Sequence, residues 1–513
     1  MEMELSLGVT TSLFLVCVIS VVALSLLSRK RLAAASGKKK KKKQLGRPAP
    51  GPWRLPLVGN LHQMVTSKLP VVLRDLAEKH GPVMCLRLGQ VDTIIISSPS
   101  AAQEVLREKD LNFASRPSLL VSEVMLYGNL DIGFAPYGAY WRTLRKLCRM
   151  ELLSERKVRH FAPVRESETL ALVRAVHEAG QGGKRPVNLA LLLVSCSNAI
   201  TEQTAFGQVA GRELQEQLLA AINVGMTISS GFSFGDLFPG LGFMDTVTGL
   251  TRRLWQARRQ MDAVLDKIIA KSEQKGDDLL SVMLRIRDGG DPEFPIETTT
   301  IKAIIVDMFS GGTDTTATAA EWVMSELVRN PPAMAKVQAE VRRTFDGKTP
   351  QEHEGHIHEL HYMRMVIKES MRLNPVLPLL VPRICRETCH VGGFEIVEGS
   401  RLMVNSWAIG RSPESWDDPD EFRPERFEDS MADDKGPRFE YLPFGGGRRM
   451  CPGSTFGLAV LELIMARLLY YFDWSLPTGG TELDMDMTVG ITARRKNQLH
   501  VVALPYKEVP LQS

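Results

Sequence analysis

Phe444-Gly445-Gly446-Gly447-Arg448-Arg449-Met450-Cys451-Pro452-Gly453 places a cysteine at the end of a glycine-rich loop and at the start of a helical run. A helix start presents unpaired backbone N–H groups and the positive end of its dipole, and both lower the pKa of a thiol placed there. Arg449 adds a cation two residues away. The glycines let the backbone approach a flat, bulky partner with no side chain in the way. An arbitrary cysteine is more often a small buried hydrophobe beside a turn, so the assignment depends on the exact company Cys451 keeps.

Phe444, Gly447, Arg449, Cys451 and Gly453 stand at the spacing F-x-x-G-x-R-x-C-x-G. This resembles the haem-ligand loop of the cytochrome P450 family. The resemblance makes Cys451 the thiolate ligand of haem b iron, with Phe444, Gly447, Arg449 and Gly453 shaping the contact. Thiolate ligation pushes electron density onto the iron and favours O–O cleavage, so an oxygen-activating enzyme is implied.

Composition bounds the answer without giving a function. The 513 residues are 24% charged and 44% hydrophobic, ordinary globular values that allow a sizeable core. No Ser/Gly/Pro-rich linker divides the chain after residue 60, so residues 61–513 are read as one catalytic domain. The net charge of +4 comes entirely from an N-terminal basic run, which leaves the remainder slightly acidic and gives no sign of nucleic-acid binding. Seven scattered cysteines form no disulfide framework and suit a reducing compartment.

Residues 5–27 are almost wholly apolar and uncharged, about the 20 residues that cross a bilayer core as a helix. Glu2 and Glu4 precede this run, and Arg29, Lys30, Arg31 and Lys38–Lys43 follow it. That order reads as a single uncleaved signal anchor with the body in the cytosol. Residues 28–60 are a basic and Pro-rich linker; Pro48, Pro50, Pro52 and Pro56 predict a stiff, extended connection, similar to the proline hinge of microsomal members of the family.

Val83 to Ser97 predicts a two-stranded hairpin, and Ser100 to Lys109 a helix. Leu119 to Gly133 has no clear period and reads as a loop. In Tyr140–Lys146, Trp141 and Arg145 stand four apart on one helical face. By resemblance they donate to a haem propionate, and Arg142, Lys146 and Arg149 on other faces are a docking surface for an acidic redox partner. Residues 160–290 are helix-patterned with a break at 231–242, whose phenylalanines the resemblance places near the membrane. Ile301–Asn330 is a long helical pattern interrupted by Gly311-Gly312-Thr313-Asp314-Thr315-Thr316. Two glycines there cost about 1 kcal/mol each relative to alanine, and the threonines and aspartate add to it. The run matches the family's [A/G]-G-x-[D/E]-T-[T/S] signature, which predicts a kink, with Thr315 and Asp314 as catalytic proton donors.

Glu369, Arg372 and Arg426, in E-x-x-R and P-E-R-F, are expected by resemblance to form a buried structural ion-pair network. Arg383 is a further propionate partner, and Leu379, Leu380, Val381, Ile491 and Thr492 line the pocket. Strands are predicted at Phe394–Ile396 and Arg401–Ala408, and an apolar helix at Leu458–Tyr471. His353, His356, His358 and His361 are read as surface residues. Cys385 and Cys389 share one face of a strand-like segment, with no ligand set suited to zinc.

From residue 48 onward five motifs stand in the family's order. The implied fold is mainly α with a small β region, the cytochrome P450 fold with one N-terminal transmembrane helix. The implied activity is that of an endoplasmic-reticulum membrane monooxygenase, single-pass with its catalytic domain cytosolic, fed by NADPH through NADPH–cytochrome P450 reductase. Its substrate is a lipophilic plant specialised metabolite, best matched by a terpenoid and in particular a diterpene; a phenolic or flavonoid is the alternative. Other classes are a haem-thiolate isomerase or dehydratase, which has no need of the Asp314–Thr315 pair, and a non-enzymatic haem protein.

Overall fold

The computed structural model describes residues 46–510, apart from 67, 152, 208–211, 229–231, 273, 275, 291–295, 429–437 and 478–482. The anchor expected at 5–27 and the basic run after it lie outside the described residues.

The body is mainly helical, with small sheets at its edges. Its axis is the helix Thr298–Arg329, which packs against Leu189–Phe206, His361–Leu373 and Ser454–Tyr471. Most of its side chains between Thr300 and Leu327 are buried. That burial overrides the poor propensity of Gly311–Thr316, and the helix assignment continues through these residues. The largest core cluster joins the second half of this helix to Ser454–Tyr471. Ser454–Tyr471 is long and apolar enough to cross a membrane, but it is a mostly buried core element, and no other helix among the described residues meets that test.

The four-stranded sheet begins with the expected hairpin, Val83–Leu88 against Val91–Ile96. Arg401–Val404 continues it in parallel, pairing Thr93 with Arg401 and Ile96 with Val404, and Arg383–Ile384 closes it. The strand expected over 401–408 stops at Val404, because Asn405 accepts from the Ala408 N–H and opens the short helix Ser406–Ile409. The loop expected over 119–133 contains the helix Leu120–Met125. The helix expected from Ser100 to Lys109 is Pro99–Gln103 continued by one wide turn, in which the Lys109 N–H reaches the Glu104 carbonyl.

The proline-rich segment is docked rather than free. The Cys85 N–H donates to the Pro50 carbonyl at 2.7 Å, and a methyl group on Gly51 would stand 2.1 Å from the Cys85 carbonyl oxygen. Only glycine allows the two backbones to come this close.

Candidate active site

The cysteine loop is built on backbone hydrogen bonds and one required glycine. The Cys451 N–H donates to the Phe444 carbonyl at 3.0 Å, and the Met450 N–H to Gly447. Gly447 has φ +68°, and a Cβ there would meet the Leu106 carbonyl at 2.3 Å. Asp110 braces the same loop by accepting from the Arg448 N–H at 2.9 Å and from Arg383 at 3.2 Å.

Cys451 lies just before the helix Ser454–Tyr471, not within it. Burial pushes its thiol up, against the pull of the Gly453 N–H and the Arg145 cation. This corrects the low thiol pKa expected from the sequence, because desolvation outweighs the helix start. Cys451 is nonetheless accessible by surface area. Gly311 is also accessible in the middle of the buried Thr298–Arg329 helix. The two helices touch where a methyl group on Gly457 would stand 3.8 Å from the Thr316 hydroxyl. The space between exposed Cys451 and exposed Gly311, next to this contact, is called the slot.

The loop Asp131–Ala135 is the hub of the slot's polar wall. Its N–H groups point to carboxylates: Ile132 and Gly133 each donate to Asp307 at 3.0 Å, and Phe134 donates to Asp131 at 2.8 Å. Its carbonyls face cations and the indole. Trp141 Nε1 donates to Ile132 at 2.9 Å, Arg116 donates to Gly133 at 3.2 Å, and Arg449 donates to Ile132 at 3.1 Å and to Ala135. Arg145 donates to the Met450 carbonyl, and Arg383 to Gly446 at 2.6 Å. The sequence thus brings Trp141, Arg145, Arg383 and Arg449 together, and the structure adds Arg116 to them.

These guanidiniums are crowded. Burial, then Arg383 and Arg145, push Arg449 down to about 9 against the pull of Asp131 and Asp307. Arg116 is pushed well below its usual value by burial, Arg383 and Arg449. Burial raises both Asp131 and Asp307, and Asp307 raises Asp131 further. Cations held mainly by neutral carbonyls, beside carboxyls that resist ionising, leave room for an outside anion. The donor set fits a group with two carboxylates, and the accessible Cys451 sulfur fits a metal ligand.

On the far side of the slot the Thr315 hydroxyl donates to the Gly311 carbonyl at 2.5 Å. Asp314 accepts from the Thr492 hydroxyl at 2.8 Å and is ion-paired with Arg494. The turn Gly490–Thr492 is held there because the Ala493 N–H donates to Val376 and its carbonyl accepts from Trp322. Leu380 lies near Gly445, beside the cysteine loop.

The family model for cytochrome P450 matches residues 48–502. The chain belongs to the cytochrome P450 family. This P450 is 65% identical over 474 residues to cytochrome P450 99A2 of Oryza sativa subsp. japonica, covering 91% of this chain and 89% of that protein. It is 63% identical to the 9-beta-pimara-7,15-diene oxidase of the same plant, covering 91% and 93%. Premnaspirodiene oxygenase of Hyoscyamus muticus is 45% identical, covering 89% and 93%. A zebra fish cytochrome P450 solved with abiraterone shares the fold at TM-score 0.70 and 24% identity, covering 85% of this chain and all of the other. This P450 is a plant-type monooxygenase, an oxidoreductase whose cofactor is haem iron supplied with electrons from NADPH through a reductase.

Arg116, Asp131, Asp307 and Arg494 were not singled out by the sequence reading. Asp307 had a signal, being an acid inside the otherwise apolar run Ala303–Phe309. Arg116, Asp131 and Arg494 had none.

Proposed function

We propose that this P450 is an endoplasmic-reticulum monooxygenase, anchored by residues 5–27, that hydroxylates a diterpene with electrons from NADPH–cytochrome P450 reductase. The observation that carries the substrate is the 63% identity, along nearly the whole chain, to a protein named for oxidising a pimaradiene. A hydrocarbon of that kind partitions into membranes. The exposed Trp53, Val65, Phe243 and Val247 suit a body resting on a bilayer, and the exposed Arg142, Lys146 and Arg149 suit an acidic reductase.

In this reading Cys451 is the iron ligand, Phe444, Gly447 and Gly453 shape its loop, and haem supplies oxygen activation when bound. Arg116, Trp141, Arg145, Arg383 and Arg449 hold its carboxylates, exchanging some carbonyl acceptors for charged ones, which form stronger hydrogen bonds. Thr315 Oγ carries the proton nearest the slot and must turn away from the Gly311 carbonyl to deliver it. Asp314, paired with Arg494 and Thr492, would take a proton from solvent and pass it to Thr315 once the ion pair opens.

The test is full-length protein reconstituted with the reductase, NADPH and separate panels of diterpene hydrocarbons and flavonoids, read by mass spectrometry. NADPH-dependent addition of one oxygen to a diterpene is expected. Oxidation confined to the flavonoid panel overturns the substrate assignment, and turnover without NADPH and reductase overturns the monooxygenase mechanism proposed here. Cys451→Ala should abolish the thiolate-type absorbance of the reduced carbon monoxide complex; an unchanged band removes Cys451 from the iron.

A further inference from the structure

Of the described cysteines, Cys389 and Cys451 are not buried. Cys451 belongs to the slot. Cys389 opens the strand Cys389–Val391, where it pairs in register with Ile396, and the Ile396 carbonyl lies 3.9 Å from the Sγ of Cys385, four residues upstream, so the two cysteines meet beside one ladder position. Their surroundings divide the roles. Cys385 is buried and donates from Sγ to the Glu387 carbonyl at 3.0 Å, while the Asn112 amide reaches its sulfur at 3.6 Å. Cys389 is half-buried near the Lys109 ammonium, which donates to the adjacent His390 carbonyl. The neighbouring Cys385 pulls the Cys389 thiol down, helped by Asn112 and Lys109 and opposed by burial and Glu104. Cys389 beside it, with burial, pushes Cys385 up. Cys389 thus has the character of an attacking thiolate and Cys385 that of a resolving thiol. Among the described residues no group of three or more His, Cys, Asp or Glu side chains is placed to hold a metal ion.

We propose that Cys385 and Cys389 are a reversible dithiol–disulfide site for a small disulfide of the glutathione class. The Cys389 thiolate attacks one sulfur of the small disulfide, whose S–S bond breaks. One small thiolate leaves and takes a proton from water, and a mixed disulfide remains on Cys389. Cys385 then loses its proton to solvent and attacks the Cys389 sulfur, expelling the second small thiol. Two protein thiols are oxidised and one small disulfide is reduced to two thiols.

The site has a structural context. Asn112 clamps Glu387 between the two cysteines, accepting from its N–H at 2.8 Å and donating to its carbonyl at 2.7 Å. Arg383 lies two residues before Cys385 on the same segment, so closure of the disulfide acts on the strand that carries this cation.

The experiment exposes full-length haem-loaded protein in detergent to glutathione disulfide, alkylates it under acid quench and digests it with trypsin. Cleavage after Arg383, Arg386 and Arg401 separates the cysteines into peptides 384–386 and 387–401. The expected product is these two peptides joined by a disulfide that dithiothreitol releases, with Cys85, Cys148 and Cys196 alkylated only after denaturation. Cys385→Ser should leave a stable glutathione adduct on Cys389, and Cys389→Ser should leave Cys385 unmodified, each variant keeping the haem spectrum that reports folding. A wild-type protein that stops at the mixed disulfide, or whose two thiols stay free while glutathione disulfide oxidises a peptide 383–391 in the same tube, overturns the proposal.

Discussion

Two groups of buried arginines differ in what neutralises them. Around Glu369 the charges are largely answered from within the chain. Arg372 makes two hydrogen bonds to its carboxylate, at 2.7 and 2.8 Å, and Arg426 adds one at 2.9 Å. The Arg423 N–H adds another at 2.9 Å, and the spare arginine donors go to the carbonyls of Gly410, Pro419 and Glu421. Around the slot, Arg116, Arg145, Arg383 and Arg449 face carbonyls for the most part, Arg383 also pairing with Asp110, and burial with neighbouring arginines pushes Arg116 and Arg449 down. The first group is complete without a ligand; the second is short of negative charge. A buried cation needs pairing as well as hydrogen bonds, so the imbalance marks the place where a partner from outside the chain belongs.

The largest expected effect breaks the complete group. Glu369→Ala leaves Arg372 and Arg426 facing each other across an empty space. The loss should be about 3–5 kcal/mol, as for other buried pairs cut on one side, and haem should be lost only as the protein unfolds. Denaturation followed by circular dichroism and haem absorbance together checks this. Haem loss from a fully folded variant would mean that the cage serves the cofactor directly.

A smaller effect on stability, with the opposite signature, is expected on the other side. Arg449→Leu removes hydrogen bonds to Ala114, Ile132, Gly133 and Ala135 and also relieves repulsion from Arg383. The net cost should be about 1–3 kcal/mol, the penalty for unsatisfied carbonyls, while haem retention falls well before the fold does. If haem loss and unfolding coincide in this variant, the cluster is structural like the cage and the contrast between the two groups disappears.

Much of this contrast was legible in the sequence, and its limits have physical causes. Cys451, Trp141, Arg145, Asp314, Thr315 and the Glu369 cage are fixed by short spacings, because each motif is carried by one loop or one helical face. The cage closes as expected. The hub at Asp131–Ala135 was invisible because it works through backbone carbonyls and N–H groups, which every residue has. Arg116 and Arg494 acquire partners only when distant segments meet. The kink expected at Gly311–Thr316 came from the poor propensity of the run together with the family's signature; the helix is continuous there, and packing on several sides of it outweighs a few kcal/mol of local cost. Thr315 bonds back to Gly311 instead, the kind of helix-internal bond open to any mid-helix threonine. His353 was read as exposed because it sits in a polar stretch, yet it is fully buried.

His353 supplies the smallest effect and a third kind of buried charge problem, one solved by staying neutral. Its ring stacks on Phe345 with centroids 4.0 Å apart and planes 13° from parallel, and it meets Tyr470 edge-on at 5.0 Å. Neither ring nitrogen has a protein hydrogen-bond partner. Burial, with Arg467 nearby, pushes its pKa down to about 3, against about 6.5 for an unfolded histidine. Between those values the unfolded chain binds the proton and the folded one does not, so stability falls as pH drops below about 6.5 and the loss levels off near 3. Each pH unit inside the window is worth about 1.4 kcal/mol, or about 2 kcal/mol between pH 6.5 and 5. His353→Phe keeps the stack and removes the titration. Its stability relative to wild type should therefore rise by about that amount on going from pH 7 to 5, measured by denaturant unfolding at both values. Equal slopes in the two proteins would mean that the ring is protonated in place, with Arg467 and its neighbours rearranged to accept a second cation.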